Sequence, residues 1–249
     1  MKTHTKYSLA LDYHNNTKFF DGVQPFDARN QYKIYPNTKV IPLKKNHHHY
    51  LALDNDTFVQ TLLSRKSTRR FAEKGMDIST LSKLLSLSFG LRNDKADVGF
   101  RTYASAGGRY PIEVYIVLFE TMDIEQGVYH YNIHDNSLEL MRSGDYYEKI
   151  QELYSNQSGI ITTDYPCLIL FSMVYDRTME KYGERGYRFI LLDAGHMSQN
   201  LYLVATYLGL GAVGLGAGTR SDEMFDDFLG LLSSEENVFY GVAIGYPQE

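Results

Sequence analysis

ERGYRFILLDAGHMSQNLYLVATYL, residues 184–208, is the stretch from which the fold is read. Its apolar residues Ile190, Ala194, Met197, Leu201, Val204 and Leu208 fall at alternating steps of four and three, the spacing of one continuous helix face. A helix this long with such a stripe belongs in a core. Beside the stripe lie Asp193, His196, Gln199 and Asn200, again three or four apart. On so apolar a helix each must find a partner or water, because leaving one buried and unpaired costs about 1–3 kcal/mol. The spacing leaves open whether they serve a site or an interface.

Working outward, residues 168–174 read as a buried strand and 146–154 as a short amphipathic helix. IEVYIVLF, residues 112–119, is rich in β-branched and aromatic residues and too short for a helix, so it is a strand. VYHYNI and SLELM form a hairpin, with Asp135-Asn136 suited to its turn. Two further helices precede these strands. One is capped by Asp54 or Asp56 and runs to Ser64, with Phe58, Leu62 and Leu63 on one face. The other starts after Asp77, carries Ile78, Leu81, Leu84, Leu85 and Leu87, and stops at Gly90. After Gly209 the reading gives a glycine-rich loop, a helix over 221–229 and a last strand over 238–244. Residues 1–53, polar and irregular with Pro25, Pro36 and Pro42, read as an arm laid over a single domain of residues 54–249, which no internal repeat or linker divides.

Composition excludes several functions. The 249 residues carry 25 Lys+Arg against 30 Asp+Glu, so no strongly basic field exists to capture nucleic acid or an anionic membrane. The single cysteine, Cys167, rules out an internal disulfide framework and points to a reducing, cytoplasmic compartment. The start of the chain lacks the apolar core of a secretory signal. The apolar run CLILFSMVY is about half of the roughly 20 residues a membrane span needs. No metal is expected: His47-His48-His49 on an extended loop converge poorly on one ion, and Asp193 with His196 is only one copy of a pair that di-iron bundles need twice. Aromatics are the odd entry in the composition, with 21 Tyr, 13 Phe and no Trp.

Two segments carry chemistry. Arg65-Lys66-Ser67-Thr68-Arg69-Arg70-Phe71 packs four cations and two hydroxyls between two helices of an otherwise acidic chain, and arginine forks bind phosphate bidentately. Ser105-Ala106-Gly107-Gly108-Arg109 is a second anion-friendly segment, its glycines permitting backbone N–H nests. Together they point to one bound phosphate ester. Gly209-Leu210-Gly211-Ala212-Val213-Gly214 matches the dinucleotide signature in letters only, because it follows a helix C-terminus instead of a strand. Cys167, in a strongly apolar strand, reads as a small buried residue and not as a nucleophile.

Read in order, YHNNTK (13–18), RKSTRRF (65–71), YASAGGRYPIEVY (103–115), GVYHYN (127–132), KYGERGYRF (181–189), LLDAGHMSQNLYL (191–203), LGLGAVG (208–214) and VAIGYP (242–247) resemble the nitroreductase-like flavoprotein superfamily. Within it they are most similar to the SagB-type dehydrogenases, which oxidise azoline rings in modified peptides. The resemblance implies an α+β sandwich: a central mixed, largely antiparallel sheet flanked by helices, dimerised through a long helix, with FMN bound by both chains. It places the polar stripe of Asp193, His196 and Asn200 near that interface. It assigns Arg65, Lys66, Ser67 and Arg69 to the FMN phosphate, ribityl chain and pyrimidine edge. Ser105, Ala106 and Gly107 would approach the flavin from the partner chain, and Leu215, Gly216, Ala217 and Gly218 would lie along the isoalloxazine. The basic phosphate clamp usual after the last strand is missing, so Arg109 or Arg220 is expected to replace it. The family's usual proline before the Ser-Ala pair is Ala104 here, which loosens that loop.

The resemblance also implies a mechanism. Turning an azoline into an azole removes a proton and a hydride, so a base must stand beside the ring while the flavin takes the hydride. An adjacent Lys-Tyr pair has that role in azoline dehydrogenases, and Lys181-Tyr182 matches it. A tyrosine, with an ordinary pKa of about 10, needs a neighbouring cation to become a useful base, and lysine supplies one. On the residues alone, Lys181 also fits an ordinary exposed lysine in a charged stretch. Three readings therefore stand: an azoline dehydrogenase acting on a peptide or similar small molecule, with a cyclodehydratase complex as a possible partner; an NAD(P)H-dependent nitro or flavin reductase; and a flavin-free scaffold subunit.

Overall fold

The computed structural model describes residues 6–17, 33, 39, 41–42, 57–92, 99–154, 164–216 and 221–248. The described elements run α1 (Ser8–Thr17), α2 (Thr57–Ser64), α3 (Ile78–Phe89), β1 (Ile112–Leu118), β2 (Gly127–Asn132), β3 (Ser137–Ser143), α4 (Tyr147–Leu153), β4 (Cys167–Val174), α5 (Tyr175–Tyr182), α6 (Gly186–Tyr207), β5 (Gly211–Gly216), α7 (Ser221–Leu229) and β6 (Glu236–Gly245). The strands form one six-stranded sheet in the order β3-β2-β1-β4-β6-β5. Every named pair is antiparallel. The expected mixed character is reduced to isolated parallel bridges such as Ser67 with Ala212.

Period-two alternation in the central strands makes this a sandwich. Ile112, Val114, Ile116 and Leu118 of β1, with Cys167, Ile169, Phe171 and Met173 of β4, pack against α3 and α6. The intervening Tyr115, Val117, Leu168 and Leu170 face Ile150 and Leu153 of α4 and Phe225, Phe228 and Leu229 of α7. The stripe read on α6 is buried as expected at Ile190, Ala194, Met197 and Leu201, while Val204 and Leu208 are half-buried and Ala205 takes the buried position in the last turns. Each large side chain so buried contributes about 1.5–3 kcal/mol. Asp77 caps α3 by accepting the Thr80 N–H at 2.8 Å. Burial pushes the Cys167 thiol well above its ordinary range, as an inert core cysteine requires.

Two local readings change. Part of the arm is regular: residues 8–17 form α1, whose Leu9 and Ala10 N–H groups donate to the Glu184 carboxylate at 3.2 and 2.8 Å. His14 of α1 is buried against Tyr187, with Nδ1 3.0 Å from Oη. The expected loop after Gly209 is edge strand β5. Finally, the face of α2 that carries Phe58, Leu62 and Leu63 is exposed, with Phe58 65% and Leu62 48% accessible. Asp54, Asp56 and the three histidines 47–49 lie outside the described residues. Among the described residues no helix is long and apolar enough to cross a membrane.

Candidate functional site

The polar stripe of α6 is a row of anchors for the loop that carries Ser105 to Gly108. Asn200 Nδ2 donates to the Thr102 carbonyl at 3.1 Å, and His196 Nδ1 lies 3.0 Å from the Ala104 carbonyl. Asp193, 1% exposed, accepts the Ser105 hydroxyl and, at 3.2 Å, the Ala106 N–H. Ser105 Oγ in turn accepts the Tyr110 N–H at 2.8 Å. Burial raises the Asp193 carboxyl above its ordinary value, and the bonds from Ser105 and Ala106 oppose that rise. Asp193, His196 and Asn200 of the stripe each have a partner within the chain, and the loop that Ala104 was expected to loosen is held at Thr102, Ala104, Ser105 and Ala106.

Gly107 then meets the end of α5. Its φ of 63° favours glycine, and so does its surroundings: a Cβ there would lie 2.5 Å from Tyr182 Oη and 2.9 Å from Lys181 Nζ. The two polar tips flank one point on the loop. Lys181 Nζ stands 5.1 Å from the centre of the Tyr182 ring, which packs edge-on against Phe189 at 4.9 Å. Lys181 lies in the last turn of α5, where the helix dipole favours a cation. Arg177 of the same helix ties α5 to the loop, donating to the Tyr110 carbonyl at 3.2 Å and pairing with Glu113. Glu113 also meets His130 Nε2 at 2.9 Å, and His130 Nδ1 reaches Glu139 at 2.8 Å.

The basic segment sits elsewhere, at the free edge of β5. Thr68 donates its N–H to the Ala212 carbonyl at 2.9 Å and is buried, which leaves Ser67 and Arg69 outward under strand alternation. Arg65 stands 5.8 Å from the centre of the Tyr202 ring. The glycines of β5 follow from close approaches. A Cβ on Gly211 would lie 2.5 Å from Thr68, and one on Gly214 would lie 1.9 Å from Tyr240 Oη, while Tyr202 Oη accepts the Gly214 N–H. Among the described residues nothing stands within 4 Å of a Cβ position at Gly216.

Leu215 and Gly216 end β5, the strand whose Ala212 pairs with Ser67 of the basic segment, whereas Ala217, Gly218 and Arg220 lie outside the described residues. Ser105, Ala106 and Gly107 are joined to Lys181 and Tyr182. Arg109 is exposed directly after that turn, on the loop and not at the β5 edge. The two groups are separated along α6 by the nine residues from Asp193 to Tyr202, about 14 Å of helix rise. Sequence reasoning noticed Asp193, His196 and Asn200 by spacing but missed what they hold. Arg177, Tyr202 and Tyr240 gave no local signal at all.

The model of the nitroreductase family matches residues 62–246. A protein of Methanocaldococcus jannaschii named as a nitroreductase is 32% identical over 156 residues, which is 63% of this chain and 76% of that one. The microcin B17-processing protein McbC of Escherichia coli is 31% identical over 145 residues, 56% of this chain and 52% of McbC, so the chain spans about half the length of that relative. Among solved structures, a chain of the Escherichia coli microcin synthetase McbBCD complex with truncated pro-MccB17 bound superposes with a TM-score of 0.76 at 22% identity, covering 97% of this chain and 93% of that one, a likeness of fold. The match to residues 62–246 covers both the β5 edge and the loop with its lysine-tyrosine pair, and this chain belongs to the nitroreductase family.

Proposed function

We propose that the chain is an FMN-dependent dehydrogenase that oxidises thiazoline or oxazoline rings of a peptide, or of a similar small molecule, to azoles. The observation that carries this reading is the convergence of Lys181 Nζ and Tyr182 Oη on Gly107, in the loop that Asp193 anchors. A plain reductase has no need of a base there. The kinship with McbC, a microcin-processing protein, supports a peptide as substrate.

The residues present fit FMN. Arg65, Lys66 and Arg69 supply cations and Ser67 a hydroxyl for a phosphate and its ribityl chain, and the absence of any described atom within 4 Å of a Cβ position at Gly216 leaves the end of β5 for a flat ring. Ala217 and Gly218 would continue that wall. Bound FMN would supply the two-electron acceptor, taking the hydride at N5. In this reading Tyr182 Oη takes the proton from the ring carbon, Lys181 Nζ stabilises the negative charge, and Asp193 keeps the loop against the pair. The azoline loses two electrons and two hydrogens in all.

Within one chain the Ser105 hydroxyl meets α6 at Asp193, whereas Arg65 of the basic edge meets it at Tyr202, nine positions further on. We therefore propose a homodimer with shared FMN sites, in which the loop of one copy reaches the edge of the other. The exposed Leu62 and Leu63 of α2 and Leu191, Leu192 and Tyr207 of α6 offer the apolar surface for it. The likeness to a chain of the McbBCD complex supports a cyclodehydratase-type partner as well. A second reading, an NAD(P)H-dependent nitro or flavin reductase, is favoured by the Methanocaldococcus relative.

The visible spectrum of the purified protein, before and after added FMN, tests the proposal. Bound flavin that NADPH leaves oxidised, in a protein that converts a thiazoline peptide to its thiazole, supports the dehydrogenase. Rapid bleaching by NADPH without azole formation supports the reductase, and failure to bind FMN sinks both.

A further inference from the structure

The loop that carries Gly107 stands on two feet, Ser105 held by Asp193 of α6 and Tyr110 held at three polar groups. The Tyr110 N–H donates to Ser105 Oγ at 2.8 Å, its carbonyl accepts from Arg177 Nη1 at 3.2 Å, and its hydroxyl oxygen accepts the Arg101 N–H at 3.1 Å. Its ring meets Tyr103 edge to face at 5.5 Å. A φ of 48° puts Tyr110 in the left-handed region, which a bulky residue occupies only where its surroundings impose it. The direction of its carbonyl is therefore set by the structure around it.

Arg177 links this foot to the helix that bears Lys181 and Tyr182. It lies one turn before Lys181 on the two-turn α5, so both side chains leave the same face. One prong of its guanidinium takes the Tyr110 carbonyl, and the other, Nη2, pairs with Glu113 Oε1. Glu113, whose side chain is 14% exposed, is fixed at its second oxygen by His130 Nε2 at 2.9 Å. The outer side of α5 is tied by an exposed pair, Lys6 with Asp176 at 3.1 Å, of the kind that contributes little in water. Contacts thus close a ring from Asp193 through Ser105, Tyr110 and Arg177 to Lys181 and Tyr182, with Gly107 inside it.

We infer that Arg177 is a positioning residue for the proposed proton removal: by gripping the Tyr110 carbonyl and Glu113 at once, it sets the height of Lys181 and Tyr182 against Gly107. The inference rests on the dehydrogenase reading and adds to it a residue that acts through the pair. A planar fork suits this double grip, whereas a lysine offers a single ammonium and cannot reproduce two prongs in one plane. A displacement of the pair by about 1 Å is enough to cost roughly 100-fold in rate. Because Arg177 governs placement, its loss lowers kcat and leaves the binding of peptide and flavin alone.

The test has two readouts on FMN-loaded protein: the fluorine NMR resonance of a 3-fluorotyrosine placed at position 182, and kcat and KM for azole formation by the unlabelled chain. Arg177→Lys, which keeps the charge and loses the fork, is expected to shift or split the resonance and to lower kcat about 100-fold, with KM for the thiazoline peptide and the flavin spectrum retained. Added guanidinium ion is expected to return both readouts of Arg177→Ala toward those of the unaltered protein, since the Arg177 side chain is 38% exposed and its place can be reached from solvent. Lys6→Ala, which cuts the outer tie, should change neither readout. If Arg177→Ala does not fold, Arg177→Lys decides alone. An unmoved resonance in Arg177→Lys overturns the inference, as does a retained kcat. So does a loss of kcat that Lys6→Ala reproduces, which would mark a general loosening of α5. If the unaltered protein forms no azole, the dehydrogenase reading fails by itself, and the fluorine resonance alone decides whether Arg177 places Tyr182.

Discussion

The site's two ends, at Asp193 and at Tyr202 of α6, solve different problems with the same residue. At the Asp193 end, Gly107 is forced by a positive φ and by two polar tips that crowd it from another helix. At the Tyr202 end, Gly214 has ordinary extended backbone and is forced only by tyrosine hydroxyls packed over β5. The first glycine sits against the atoms proposed to do chemistry, the second against atoms that hold a strand edge in place. A methyl group added at each should therefore damage different properties.

The largest effect is expected from Gly107→Ala. The added methyl displaces Tyr182 Oη and Lys181 Nζ, and a misplacement of about 1 Å can cost roughly 100-fold in rate. Azole formation should fall by about that factor with the flavin spectrum retained; loss of flavin together with turnover would show that the two ends are not separable. Gly214→Ala should do the reverse, costing about 1–3 kcal/mol by overpacking against Tyr240. Its melting temperature should drop by several degrees and FMN should bind more weakly, while turnover per bound flavin is kept.

Truncating the anchor sharpens the comparison. Asp193→Ala leaves the Ser105 hydroxyl and the Ala106 N–H unpaired, at about 1–3 kcal/mol of stability by thermal melting. Arg65→Ala at the other end should weaken FMN binding about tenfold in a flavin titration, with little change in melting of the flavin-free protein.

The smallest effect is a pH dependence at the Asp193 end. Hydrogen bonding to Glu113 raises His130 above its ordinary 6.5, against the opposing effect of burial and with help from Glu139. Burial alone would raise Glu113, but the bonds from His130 and Arg177 outweigh it and hold the carboxyl below 4.5. The His130 contribution is thus complete below pH 6.5 and is lost as pH rises through the raised value, while the Glu113 contribution is complete above pH 4.5 and is lost as pH falls through the lowered one. Melting temperature should be highest between these limits, and His130→Gln should remove the decline on the alkaline side.

What the sequence revealed divides along the same line. The stripe of α6, the strands flanking it and the capped start of α3 are local patterns, and they were legible because each side chain's neighbour lies three, four or two positions away. The β5 strand was misread as a loop because Gly211, Gly214 and Gly216 lower strand propensity, and the contacts that require two of them come from Thr68, Tyr202 and Tyr240. Helix α1 was missed for a similar reason, since the carboxylate that serves its first N–H groups belongs to Glu184. For the site, Arg65 to Arg69 and Lys181-Tyr182 were found through motifs. Their division between two positions along one helix, and the anchoring of the loop by Asp193, depend on contacts about ninety residues apart in the chain.

The central claim is that Lys181 and Tyr182, set against Gly107, remove the proton while the other end of the site holds the flavin. The most direct measurement is azole formation from a thiazoline peptide, followed by mass spectrometry as the loss of two hydrogens, for the FMN-loaded protein carrying Lys181→Ala and Tyr182→Phe together. The account predicts a flavin spectrum like that of the unaltered protein and no azole. Undiminished azole formation by the same variant would contradict it.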